Sequence, residues 1–169
     1  MGEIWIADAS PIILLAKAGY ISLLEALAGE IWLPLQVCQE IERGPHTDPG
    51  RMLLSTGWGV RKSVPYIPAA LRPYPALGSG EKAALALALK NPGCRVLVDD
   101  AAGRRAAKNL GILYIGVLGL VARAKNQGVI SAASTYFEAL KRAGAFISDD
   151  LIRETLTQLG EPIPEVIKR

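Results

Sequence analysis

The sequence predicts an α/β protein: a parallel central sheet with helices against both faces. Three observations predict it. Apolar, strand-like runs alternate with helical segments along the chain, the pattern of strand–helix–strand units. The first run, "EIWIAD", is nearly continuously apolar, as a parallel strand buried on both faces must be. Ala, Leu and Ile far outnumber the two Phe, a composition suited to helices packed on a buried sheet. With 169 residues, half of them hydrophobic, the chain reads as a single domain over residues 1–169 with a sizeable core.

Each element has its own signal. After "EIWIAD", Ser10 and Pro11 start a helix: serine is a favoured N-cap, and proline at the first helical position lacks only an amide hydrogen that had no partner there. A second helix is predicted from Tyr20 to Ala28, a short strand at "EIWLP", and a helix at "LQVCQEIERG" closed by Gly44. Between Gly44 and Gly78 lie Pro45, Pro49, Pro65, Pro68, Pro73 and Pro75, six of the eleven prolines. This stretch reads as a surface excursion within the domain, with a short helix at Gly50 to Ser55 and an extended "GWGVRKSV". Trp58, Val60, Val64 and Ile67 give it material to bury. The alternation then resumes with helix "KAALALALKN", strand "CRVLVDD", helix "AAGRRAAKNLG", strand "ILYIG" and a helix from Val117 to Asn126. Helices at Ala132 to Ala143 and Asp149 to Leu159 follow, with no internal repeat.

Composition removes several function classes. The longest suspicious apolar segment, "LGILYIGVLGLVA", falls short of the roughly 18–20 residues a membrane span needs, so no membrane association is expected. The start "MGEIWIADAS" has no basic segment ahead of an apolar run and does not read as a signal peptide. Cys38 and Cys94 lack C-x-x-C spacing and a histidine partner, which disfavours zinc and a disulfide framework and suits the cytoplasm. His46 is the single histidine, in the loop "GPHTDPG", so a Ser-His-Asp triad is not expected. A net charge of +3 is compatible with a polyanionic partner without demanding one.

What remains is carboxylates. In open α/β sheets the active crevice lies beyond the carboxyl ends of the strands. Asp8 ends the first strand, and Asp99 and Asp100 follow "RVLV". Glu81 opens the helix "AALALAL" in a glycine-rich setting that superficially suggests a phosphate loop. It stands where a P-loop has its lysine, and a carboxylate there repels phosphate. Glu40 sits in the helix after the second strand. Taken singly, each has a structural explanation: Asp100 as an N-cap, Glu81 as a first-turn acid favoured by the helix dipole, Glu40 as a solvated helix acid. Asp8 is harder to explain this way, because Ser10 is the better placed cap; so is Asp99, because one capping aspartate suffices. Together, carboxylates without histidine or cysteine suit a hard cation, Mg²⁺ or Mn²⁺.

Five segments in order carry a family resemblance: "IADASPIILLAKAG", "LPLQVCQEIERG", "LGSGEKAALALAL", "VLVDDAAGRRAAKNLGI" with "YIGVLGLVARAKNQGVI", and "LKRAGAFISDDLI". On these the chain resembles the PIN-domain superfamily, and within it the prokaryotic DUF3368 family related to VapC-type toxin ribonucleases. The resemblance implies a three-layer α/β/α sandwich with a parallel central sheet. It also implies an endoribonuclease dependent on Mg²⁺ or Mn²⁺ that leaves a 5′-phosphate and a 3′-hydroxyl, with RNA as substrate. The implied site residues are Asp8, Glu40, Glu81, Asp99 and Asp100 as catalytic metal ligands, with Ser10 and Arg104 as their polar and basic neighbours toward substrate. A homodimer and an antitoxin protein as partner are further expectations. Gly103 stands where the family often has alanine, a replacement expected to be harmless. The competing expectation is a non-catalytic nucleic-acid- or protein-binding module whose acids bind metal only structurally.

Overall fold

The computed structural model describes residues 2–167. Its strands are β1 (Ile4–Ala7), β2 (Glu30–Pro34), β3 (Val60–Lys62), β4 (Arg95–Leu97) and β5 (Leu113–Ile115). Between and after them run helices α1 (Ala9–Ala18), α2 (Ile21–Leu27), α3 (Leu35–Glu42), α4 (Pro49–Ser55), α5 (Ser79–Lys90), α6 (Ala101–Asn109), α7 (Val117–Asn126), α8 (Ser134–Arg142) and α9 (Asp149–Gln158). All strand pairs are parallel, in the order β3-β2-β1-β4-β5. The chain builds outward from β1 to β3 and then returns to place β4 on the other side of β1. The β1/β4 boundary is therefore the point where strand order reverses, where a crevice opens above the strand ends.

Alternation along the strands divides the interior in two. Trp5 and Ala7 of β1, Ile31 and Leu33 of β2, and Leu97 of β4 pack into one core with residues of α1, α2, α3, α7, α8 and α9. Ile6, Val96 and Val98 point the other way, against the Ala- and Leu-rich α5 and the inner face of α6. Side chains alternate faces with a period of two, so continuous apolarity in a strand requires a layer on each side. The result is an α/β/α sandwich. At the amino ends of the strands, far from the crevice, the Glu3 carboxylate receives Trp5, Arg95 and Arg123 and ties β1, β4 and α7 together.

The structure differs from the sequence expectations in particular places. Ser10 is not the cap of α1: Asp8 holds the N-cap position and Ser10 lies within the helix, exposed. The excursion after Gly44 contributes β3, which pairs with β2 as a parallel edge strand, Trp32 opposite Val60. Of its four proposed core residues, Val64 is buried and Trp58 half-buried, while Val60 and Ile67 are exposed. An edge strand has a neighbour on one side only, so its outer residues face water. Helix α8 begins at Ser134 because Glu161 accepts the Ala133 and Ser134 amide hydrogens and fixes its start. Cys38 and Cys94 are free, buried thiols. Among the described residues no single helix is long and apolar enough to cross a membrane.

Candidate active site

Asp8 follows β1 directly, and its backbone amide donates to Leu97 O at 3.0 Å, locking this strand end to β4. Asp8 as a residue is 5% exposed, the one polar or charged residue buried as a whole among the described residues. Although Asp8 occupies the N-cap position, its side chain makes no capping bond, and Oδ1 has no hydrogen-bond partner. Burial pushes its pKa up to about 7; the Ala9 amide opposes this, and the charges of Glu81, Glu40 and Asp99 add to it.

The other four acids each use an oxygen on a helix N-terminus. Glu40, brought over by α3, accepts the Gly80 amide of α5 through Oε1 at 2.7 Å. A Cβ on residue 80 would lie 2.8 and 2.9 Å from the two Glu40 oxygens, so only glycine admits this approach. Glu81, in the first turn of α5, accepts the Gly78 amide through Oε2 at 2.8 Å. Since glycine offers no side chain in return, this is half of a capping box. Burial raises the Glu81 pKa; the Gly78 amide opposes this, while Asp100 and Glu40 raise it further. Asp99 Oδ1 accepts the Val117 amide at the start of α7 at 2.8 Å, made possible by Gly116, whose Cβ would fall 2.7 Å from that oxygen. Burial raises Asp99, opposed by the Val117 amide and the Arg104 guanidinium. Asp100 caps α6, accepting from Ala102 and Gly103 at 2.7 and 3.2 Å.

Alongside these structural roles the fold brings most of the acids to one place. Asp8, Glu40, Glu81 and Asp100 line a cavity of about 400 Å³ with Ser10 at its edge. Asp99 opens instead into a neighbouring cavity of about 550 Å³, shared with Asp100, Ser10 and Arg104. The structure thus separates the two adjacent aspartates, which the sequence left undistinguished.

The donor set is all oxygen, the chemistry of Mg²⁺ or Mn²⁺. Among the described residues no three acidic, histidine or cysteine side chains are grouped tightly enough to hold an ion unaided. Mg²⁺ characteristically takes one or two carboxylates and completes its shell with waters and substrate phosphate oxygens. Asp8 Oδ1, buried and without a hydrogen-bond partner, is an oxygen such an ion would satisfy. The residues fit the group.

Sequence reasoning missed the glycines. Gly80 and Gly116 let acids touch helix ends, and "SGE" and "IGV" carried no signal beyond proximity to the acids. Gly103 has a reason of its own: a Cβ there would lie 2.6 Å from Val98 Cγ2 and 3.1 Å from Glu81 Oε1. Val98 is buried and its χ1 is stiff, so alanine would press on the core and on Glu81; the glycine is a packing requirement of this chain.

A parallel five-stranded α/β/α sandwich with acids gathered at the strand ends defines a PIN-like protein. The family model described as "DUF3368: PIN domain" matches residues 4–161, and the chain belongs to that family. PIN domains are generally nucleases and typically use divalent metal ions. No curated protein matches the chain.

Proposed function

We propose that this protein is a Mg²⁺- or Mn²⁺-dependent endoribonuclease, working in the cytoplasm as a homodimer and as the toxin of a toxin–antitoxin pair. The observation that carries the nuclease reading is the buried Asp8, whose Oδ1 has no hydrogen-bond partner, lining a cavity with Glu40, Glu81 and Asp100. An acid with only a capping or packing role would have its oxygens satisfied. Asp8, Glu40, Glu81 and Asp100 would hold the ion. When bound, the ion supplies Lewis acidity toward a phosphodiester and lowers the pKa of water.

The chain's own residues do the rest. The acid cluster repels a polyanion, so the scissile phosphodiester reaches the acids only when their charge is offset, which couples cleavage, rather than all RNA contact, to the cation. With its pKa pushed up to about 7, Asp8 divides between its protonated and charged forms near neutrality, and a bound cation would favour the charged form. The backbone amides of Gly78, Gly80 and Val117 orient Glu81, Glu40 and Asp99 before anything binds. Arg104, exposed at the rim, supplies a fixed positive charge for a phosphate, and Ser10 reaches the edge of both cavities.

The test is cleavage of an RNA pool with Mn²⁺ or with EDTA, by wild type and Asp8→Asn, with the product ends determined. Cleavage with Mn²⁺ alone, lost in the mutant and leaving 5′-phosphates, is expected. Cleavage that persists in EDTA or in Asp8→Asn overturns the proposal. Growth arrest on induction in bacteria, absent in Asp8→Asn, tests the toxin role; full growth with wild type removes it.

A further inference from the structure

We infer that the cavity beside the acidic one is a nucleobase subsite and that Phe146 is its stacking platform. The inference deepens the proposed function and rests on it for the choice of single-stranded RNA as the ligand.

The backbone holds Phe146 outward. Helix α8 ends at Gly144, whose φ of +108° is open to glycine and strained for other residues. The Gly144 amide donates to Lys141 O and the Ala145 amide to Leu140 O, closing the helix end. Ala145 and Ile147 then pack against the core, and the Ile147 amide donates to Ala145 O at 3.1 Å across the residue between them. That three-residue turn projects Phe146 into solvent, where it is fully exposed at 106%. Ser148 begins α9 immediately afterward by capping the Leu151 amide. The backbone that carries the ring is thus anchored between two helix ends rather than set on a long loop.

Its surroundings match a nucleotide. The cavity of about 550 Å³ has an apolar wall that includes Leu14, Leu118, Phe146 and Leu151, and a polar floor of Asp99, Asp100 and Ser10, with Arg104 alongside. Ser10 and Asp100 also line the acidic cavity, so the two spaces are adjoining rooms of one crevice. A base against the apolar wall would leave its phosphate near Arg104 and the next phosphodiester at the acids. Stacking on an aromatic face suits every base, which gives affinity for unpaired strands without strict sequence choice. A second copy of the chain suits the groove less well: a dry interface would bury Asp99, Asp100 and Arg104 with incomplete partners.

The experiment measures anisotropy of fluorescein-labelled eight-nucleotide single-stranded RNA in EDTA at low salt, where the proposed reaction cannot run. A second probe has the same backbone with abasic sites. Wild type is expected to bind the base-bearing strand about 10-fold more tightly than the abasic one. Phe146→Ala should erase that preference, Phe146→Trp restore it, and Phe146→Leu, apolar but not planar, fail to restore it. Equal binding of both probes by wild type overturns the subsite, as does an unchanged preference in Phe146→Ala or full rescue by leucine. Sedimentation of the same proteins adds an outcome: dissociation of a dimer by Phe146→Ala assigns the wall to self-association and overturns the inference. Mn²⁺-dependent cleavage by wild type is scored separately. A cleaving enzyme without base preference loses the subsite and keeps the proposed function; a non-cleaving protein with the Phe146-dependent preference does the reverse.

Discussion

Replacing Asp8 by asparagine should stabilise the metal-free protein at neutral pH. Asp8 titrates at about 7 in the folded chain against an ordinary 3.8, chiefly because it is buried. The sign follows from proton affinity: the folded state holds this proton more tightly than the unfolded one. The group's contribution is therefore fully favourable below pH ~4 and is lost as pH rises to about 7. At about 1.4 kcal/mol per pH unit, charging Asp8 costs the fold on the order of 4 kcal/mol at pH 8. Asparagine abolishes the charge at nearly constant shape. Its amide needs an acceptor where Oδ1 now has no partner, a cost of about 1–3 kcal/mol. The net gain is roughly 1–3 kcal/mol, and at ~2–4 °C per kcal/mol for a chain of this length Tm should rise by several degrees in EDTA. Melting curves of both proteins at pH 4 and pH 8, with EDTA and with Mn²⁺, make the assay. The mutant's advantage should vanish at pH 4. Mn²⁺ should raise the wild-type Tm, by about 2.7 kcal/mol equivalent at a hundredfold excess over Kd, and raise the mutant's less. A mutant less stable than wild type at pH 8, by the same amount with and without Mn²⁺, would show that Asp8 is a structural cap and refute the reasoning.

Other substitutions separate the structural from the chemical duties of the acids. Gly80→Ala places a methyl against both Glu40 oxygens, which can swing away. The metal-free Tm should change little, since helix propensity gained, about 1 kcal/mol, offsets the lost bond, while the Mn²⁺ concentration needed for half-maximal cleavage should rise on the order of 10-fold; an unchanged Mn²⁺ requirement would argue that Glu40 does not serve the ion. Asp100→Ala should cost about 1 kcal/mol at the start of α6 already in EDTA, where Asp8→Asn stabilises, and more in Mn²⁺ because Asp100 is also proposed to hold the ion. Chemical denaturation with and without the ion measures it, and a mutant as stable as wild type in EDTA contradicts the cap. Cys38 and Cys94, buried and with thiol pKa values raised chiefly by burial, should react with a thiol reagent only after unfolding. Rapid labelling of the native protein would contradict their burial.

The sequence by itself determined the layers and the acids. Continuous apolar runs such as "IWIA" allow only strands covered on both faces, and acids at their carboxyl ends fall at one edge of a parallel sheet whatever the connections. Most of the elements were legible because they carried a local cue: the alanine and leucine of α5, Gly128 after α7. Tertiary structure decided what depends on distance between remote segments. Strand β3 is three residues with mostly exposed side chains, and only its pairing with β2 makes it a strand. Ser10 looked the better placed cap of α1 from sequence; in the fold Asp8 takes the position without a bond, and burial raises its pKa. Asp99 and Asp100 are neighbours in sequence and share one cavity, yet only Asp100 also lines the cavity that holds Asp8, Glu40 and Glu81. Gly80, Gly103 and Gly116 look like ordinary loop or helix glycines until the absent Cβ is seen to face Glu40, Val98 and Asp99. Helix and strand propensities act over a few residues, whereas an oxygen left without a partner, or a methyl left without room, is a property of chain segments that meet only in the folded protein.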